Sequence, residues 1–157
     1  MGNVFILQRS LLSIPLIQSF HSLVCAVLQN SEATFGMDTH QLFSVESSRY
    51  AVARPQYPDQ LFDYLADLCE ETDSVWDCAT GSGQAAISLT KHFDSVQATD
   101  VSAAQIANAF AQERVYYSVQ PAEKTNFETA SFDLVTVATA LHWFNLERFW
   151  PEVHRVL

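Results

Sequence analysis

A chain of 157 residues, 48% hydrophobic and 17% charged, has the make-up of one soluble globular domain, which excludes a disordered or repeat protein. Eight basic residues against 18 acidic ones leave a formal charge of -10, a field that repels a phosphate backbone and argues against nucleic acid as a partner. Cys25, Cys69 and Cys78 are odd in number and widely spaced, offering neither a C-x-x-C pair nor a secreted disulfide framework, so a reducing, cytoplasmic setting without a metal site is expected.

Residues 1–36 do not conform to the rest. "NVFILQRSLLSIPLIQSFHSLVCAVLQNSEA" carries one positive charge, Arg9, and no acid before Glu32. Residues 11–28 invite comparison with a membrane span, but Pro15, Gln18, His21 and several serines interrupt a run that would need about 20 mostly apolar residues. The apolar run is broken and lacks a clear cleavage site for a secretory signal, and Ile6 stands where a myristoylation signal asks for Ser or Thr. This segment reads as an extension without a role in chemistry, followed by a single domain over residues 37–157.

From about Phe43 the pattern becomes regular. "RPQYPDQLFDYLADLCEE" places a proline-punctuated turn before a helix whose Leu61, Phe62, Leu65 and Leu68 recur at helical spacing, with Asp59 near its start. "SVWDC" is a short strand, and "GQAAISLTKHF" a helix opening out of a glycine turn. "SVQATD" is the next strand, "SAAQIANAFAQ" a helix capped by Ser102, "RVYYSVQ" a strand, and "SFDLVTVATAL" a long buried strand. Strands alternating with helices predict an α/β fold with a parallel sheet and crossover helices, in which ligands bind beyond the carboxyl ends of the strands. Asp77, Asp100 and Thr139 fall at those ends.

"WDCATGSGQAA" poses the functional question. Gly81-Ser82-Gly83-Gln84-Ala85-Ala86 fits the dinucleotide pattern G-x-G-x-x-A, with Asp100 at a spacing suited to a ribose, so an NAD-dependent oxidoreductase is one reading. Asp77 points elsewhere, because a carboxylate beside the turn repels a pyrophosphate. It attracts the ammonium and sulfonium of S-adenosylmethionine: an ammonium about 4 Å from a carboxylate gains roughly 4 kcal/mol at a surface-like dielectric, before desolvation.

Beyond this point the chain resembles the class I S-adenosylmethionine-dependent methyltransferases, specifically the methyltransferase type 11 group, and is similar to the trans-aconitate type small-molecule enzymes. The resemblance covers residues 50–157 and rests on "YAVARPQYP", "VWDCATGSGQ", "VQATDVSAAQIANA" and "SFDLVTVATALHWFNLERFWPEVHRVL". It implies a Rossmann-like parallel sheet with flanking helices and S-adenosyl-L-methionine as cofactor. Gly81 and Gly83 would admit the methionine part, Asp77 would act near its ammonium, Asp100 would take the ribose hydroxyls, and Ala122 and Glu123 would line the adenine. Two departures stand out: Ala79 occupies the usual place of the first glycine, and Pro121 the place of an acid before Ala122.

On the substrate side, His142 is the candidate base or hydrogen-bond donor, Trp143 an aromatic wall, and Tyr50, Arg54 and Tyr57 a cover in which Arg54 holds an acceptor carboxylate. A packing or capping role is the plainer alternative for each. In the resembled family "EVHRVL" leads into further strands, so the chain is expected to be truncated. It would hold the 3-2-1-4 part of the usual seven-stranded sheet, with the fourth strand left as an open edge. Two functions follow: methyl transfer to a small-molecule acceptor, or an inactive fragment that binds cofactor weakly or a protein partner at that edge.

Overall fold

The computed structural model describes residues 4–8 and 57–157. Residues 9–56, which include the apolar run at 11–28, Cys25, Tyr50, Arg54 and the proposed boundary at residue 36, lie outside them. Ten elements follow in chain order: β1 (Val4–Gln8), α1 (Asp59–Asp67), β2 (Ser74–Cys78), α2 (Gln84–Leu89), β3 (Ser95–Asp100), α3 (Ala103–Ala107), β4 (Val115–Val119), β5 (Leu134–Ala138), a 3-10 turn (Leu141–Trp143) and α4 (Leu146–Val156).

The strands form one sheet in the order β1-β5-β2-β3-β4. β5, β2, β3 and β4 run parallel, which is the expected 3-2-1-4 order when β2 is counted as the first strand. The fifth strand corrects an expectation. β5 does not form an open edge, because Val4–Gln8 pairs with it antiparallel, from Val4 opposite Ala138 to Gln8 opposite Leu134. "VFILQ" is rich in strand-forming residues, and a buried strand leaves backbone donors and acceptors that require partners. The extension therefore supplies part of the sheet, and the surface proposed for a protein partner is already occupied by the chain itself.

Each face of the sheet carries a core. On one, Val75, Val96, Ala98 and Leu134 meet Leu61, Phe62 and Leu65 of α1, Ala85, Ala86 and Leu89 of α2, and Ile6 of β1. On the other, Trp76, Val135 and Val137 meet Phe149, Val153 and Val156 of α4, with Phe127 and Phe132 from the loop before β5. Trp76 is fully buried and satisfies its indole by donating from Nε1 to Thr99 Oγ1 at 2.9 Å. At the start of β5, Asp133 Oδ2 accepts from the amides of Asp73 and Ser74, both at 2.9 Å, which fastens the entry of β5 to that of β2.

Several elements are shorter than their sequence patterns, among them α2, which ends at Leu89. The helix expected over "SAAQIANAFAQ" ends at Ala107, where Asn108 Nδ2 turns back to the Ala104 carbonyl at 2.7 Å and the Phe110 amide leaves to bond Ser82. This is the ordinary competition of an asparagine side chain with the helix backbone. Ser102 does cap the helix, its side chain accepting from the Gln105 amide. β5 closes at Ala138 because Thr139 adopts a positive φ of 59°.

Candidate active site

The site is built where β2, β3 and β5 end on the same side of the sheet. Asp77 lies near the end of β2, opposite Thr136 of β5, and is only 1% exposed. Thr80 Oγ1 donates to its Oδ2 at 2.5 Å and Thr136 Oγ1 to its Oδ1 at 3.0 Å. Burial pushes the Asp77 carboxyl up to about 6; the two hydroxyls and the Ala86 amide pull the other way, and the nearby Asp100 carboxylate adds to the rise. Among the described residues, no ion pair reaches it. The result is a buried acid with hydroxyl donors and no cation, an arrangement that favours a positively charged ligand.

The chain then turns sharply. Ala79, Gly81 and Gly83 all have positive φ, of 57°, 59° and 88°. The Thr80 amide bonds the Thr99 carbonyl at 2.9 Å, and the Gly83 amide bonds Thr80 at 3.0 Å. Asp100, closing β3, fixes the turn from the side: its Oδ2 accepts from the Gly81 amide at 3.0 Å and its Oδ1 from the Ser102 amide at 2.8 Å. A carboxylate offers about four lone-pair directions, so these two bonds leave acceptor capacity for hydroxyl groups.

Gly83 has a second reason to be glycine. A Cβ built there would overlap the Tyr117 hydroxyl and lie 2.9 Å from Tyr117 Cζ. Tyr117 itself donates to the Phe110 carbonyl at 3.0 Å, and burial, with the Asp77 charge, raises its phenol above the ordinary range. Ala79, which departs from the glycine of the resembled turn, takes the left-handed conformation that suits glycine and is strained there.

On the opposite rim, Leu141 is buried in the α4-side core while His142 and Trp143 of the 3-10 turn face outward, with ring centroids 4.8 Å apart. Trp143 is 79% exposed. Ala122 is buried in the same core. Glu123 Oε1 accepts from the Asn145 amide at 2.9 Å. Tyr57 packs edge-on to Phe62, 6.3 Å between centroids, and with Leu61, Ala85 and Thr136 borders a small apolar crevice on the α1 side. Thr139 follows β5 at the head of this rim.

The structure thus brings Asp77, Gly81 and Asp100 into one bonded unit with Thr80, Thr99 and Thr136. His142 and Trp143 occupy a separate rim, while Tyr50 and Arg54 lie outside the described residues. Sequence reasoning missed Thr80, Thr136 and Tyr117. Thr136 was detectable as the one polar residue in "LVTVA", a strand otherwise fit for complete burial.

A parallel α/β sheet with an acid at the end of one strand, a glycine turn after it and a second acid at the end of the next defines a class I nucleotide-cofactor fold. The methyltransferase domain family matches residues 76–157, so the chain belongs to that family. A Dictyostelium discoideum protein bearing the name of a methyltransferase is 40% identical over 116 residues, covering 73% of this chain and 44% of the relative. A Saccharomyces cerevisiae protein, named as an S-adenosylmethionine-dependent methyltransferase, is 29% identical over 121 residues, covering 71% of this chain and 42% of its own length. Among solved structures, one named as a type II methyltransferase from Anaeromyxobacter dehalogenans aligns with a TM-score of 0.61 and 42% identity, over 66% of this chain and 44% of that one. The chain therefore spans less than half the length of these relatives.

Proposed function

We propose that this chain forms the cofactor-binding part of an S-adenosylmethionine-dependent methyltransferase acting on a small-molecule acceptor. The observation that supports it most is the buried Asp77 carboxylate, without an ion pair among the described residues, beside a glycine turn tied down by Asp100. The donor set fits the cofactor: Asp77 answers an ammonium, and the spare lone pairs of Asp100 answer a ribose diol. Gly81 and the strained Ala79 keep the backbone close at hand between them, and Ala122 supplies an apolar wall for adenine.

S-adenosylmethionine, when bound, supplies a methyl carbon already activated by its sulfonium. The residues of the chain have to align that carbon with an acceptor and exclude water from the path, and no covalent enzyme intermediate is called for. Asp77 holds the amino acid end. Asp100 fixes the ribose end and the turn together. His142 takes or holds the acceptor proton, and Trp143 offers its π face to positive charge at the rim. Thr139 closes the segment between the two rims. In the finer form of this reading, which rests on the family resemblance, the acceptor is a small carboxylate recognised by Arg54, a residue outside those described.

The test is calorimetric titration of the folded chain with S-adenosylhomocysteine, NADH serving as the control. Selective binding of S-adenosylhomocysteine, weakened at least about tenfold in Asp77→Asn, is expected. A folded chain that binds neither, or that prefers NADH, overturns the proposal. Asp77→Asn is the sharper variant, because Asp100→Ala would also release the Gly81 and Ser102 amides and blur cofactor contact with loop collapse.

A further inference from the structure

Glu123 stands where the sequence resemblance puts an adenine contact, and one of its carboxylate oxygens is engaged by the helix that follows. Its Oε1 accepts from the Asn145 amide at 2.9 Å, across 22 residues of chain. Asn145 is the N-cap of α4, with φ -77° and ψ 96°, and its own side chain makes no capping bond. The N-terminus of α4, whose first turn also carries Glu147, thus receives a capping carboxylate from the loop between β4 and β5 and not from its own cap residue.

A second junction between the same loop and helix shows what distinguishes this one. Glu152 Oε1 accepts from the Thr125 amide at 2.7 Å and the Thr125 hydroxyl at 2.6 Å, while Arg155 reaches both Glu152 and the Phe127 carbonyl. That cluster fastens the loop to the far half of α4. The bond from Glu123 fastens it to the near end, next to the 3-10 turn carrying His142 and Trp143. The turn is held from below by Leu141 in the core and by Phe144 against Phe149, 4.8 Å between centroids. Among the described residues, the side-chain hydrogen bond at its exit is the one that Glu123 accepts from the Asn145 amide. Burial chiefly raises the Cys78 thiol at the end of β2, and the charges of Asp77 and Glu123 add to the rise.

We infer that Glu123 is a positioning residue, which sets the acceptor-side segment 142–144 by capping α4 through the Asn145 amide while its loop borders the cofactor. The inference rests on the methyltransferase reading of the two rims and deepens it: cofactor side and acceptor side are joined through one carboxylate.

Amide hydrogen exchange of the full chain, followed by peptides over residues 141–149 and over β2 and β3, tests the coupling directly. Glu123→Ala is expected to speed exchange in 141–149 about tenfold and to leave β2 and β3 unchanged, while S-adenosylhomocysteine affinity shifts less than about threefold. Glu123→Gln keeps an acceptor oxygen and is expected to restore most of the protection. Asn145→Pro removes the donor from the other side at a φ that proline tolerates, after a residue already extended at Phe144, and is expected to reproduce the effect of Glu123→Ala. Unchanged exchange in folded Glu123→Ala and Asn145→Pro overturns the inference. Equal effects of Gln and Ala overturn it too, as does a tenfold loss of S-adenosylhomocysteine affinity without faster exchange, which would make Glu123 a cofactor contact. If the wild-type chain binds no S-adenosylhomocysteine, the methyltransferase reading fails while the exchange result still decides whether Glu123 holds the segment.

Discussion

Asp77 is held at a cost to the fold. Its carboxyl, ordinarily near 3.8, is raised to about 6 by burial, so the folded chain binds that proton more tightly than the unfolded one. Its contribution to stability is therefore greatest below 3.8 and declines as pH rises through 6, by on the order of 3 kcal/mol between the two limits. Glu152 behaves in the opposite sense. Arg155 chiefly, against some burial, pulls it from 4.5 down to about 2, so the stability it contributes is complete above 4.5 and lost as pH falls through 2. Asp77→Asn should flatten the decline between pH 4 and 7 and raise the urea midpoint at pH 7.5, even as it weakens cofactor binding. A variant less stable than wild type at pH 7.5 would show that the Thr80 and Thr136 hydroxyls depend on the charge. Ligand binding carries the complementary sign: a cation beside Asp77 lowers its carboxyl again, so affinity for S-adenosylhomocysteine should rise from pH 5 to pH 7. Calorimetry in buffers of different ionisation enthalpy would detect the proton released. Ala79→Gly, at φ 57°, should stabilise the chain by roughly 0.5–1 kcal/mol, read as a higher midpoint with an unchanged denaturant slope.

At the scale of elements, the glycine turn is shaped as much by the strand beside it as by any ligand. Gly83 serves as the N-cap of α2 at φ 88°, and the Tyr117 ring of β4 occupies the space a side chain would need. Gly83→Ala therefore meets two obstacles, a left-handed backbone and a phenol. It should cost on the order of 2–4 kcal/mol. Tyr117→Phe removes the overlapping hydroxyl and its bond to Phe110, so in the Gly83→Ala background it should recover part of that loss. The coupling energy from a double-mutant cycle should be about 1 kcal/mol. A cycle that closes to zero would mean that α2 shifts away from β4 freely. The sequence carried the elements of this region well because their signals are local: Val75, Trp76 and Cys78 mark β2, and serine at position 102 caps α3. The phenol against Gly83 was not legible, since it arises from the register that sets Tyr117 of β4 opposite Ala98 of β3. In the same way, no local pattern marks Glu152, because its partner Thr125 lies 27 residues away along the chain.

For the whole molecule, a parallel sheet was legible from the alternation of strands and helices and the order of its four strands from the family resemblance, but the mixed five-stranded sheet was not. Residues 1–36 look foreign to the domain in charge and composition, and local patterns do not reveal that "VFILQ" lies beside a strand 130 residues further on. Pairing at so great a separation is paid for by loop-closure entropy, so it has to be secured by burial as well as by backbone bonds. Ile6 supplies that burial: it is 5% exposed and joins the core formed by Leu61, Phe62, Leu65 and Leu134. Replacing it in the full chain with Asp would place a charge in that core, and β1 should release rather than bury it. The edge of β5, with Leu134, Val135 and Val137 along it, would then be exposed as a template for other strands. Ile6→Asp should lower the thermal midpoint by several degrees and give concentration-dependent larger species by light scattering, whereas Ile6→Val should leave the chain close to wild type. A monomeric Ile6→Asp chain with an unchanged midpoint would mean that β1 is not needed to close the sheet, and that the edge of β5 is protected by its own twist and by α4.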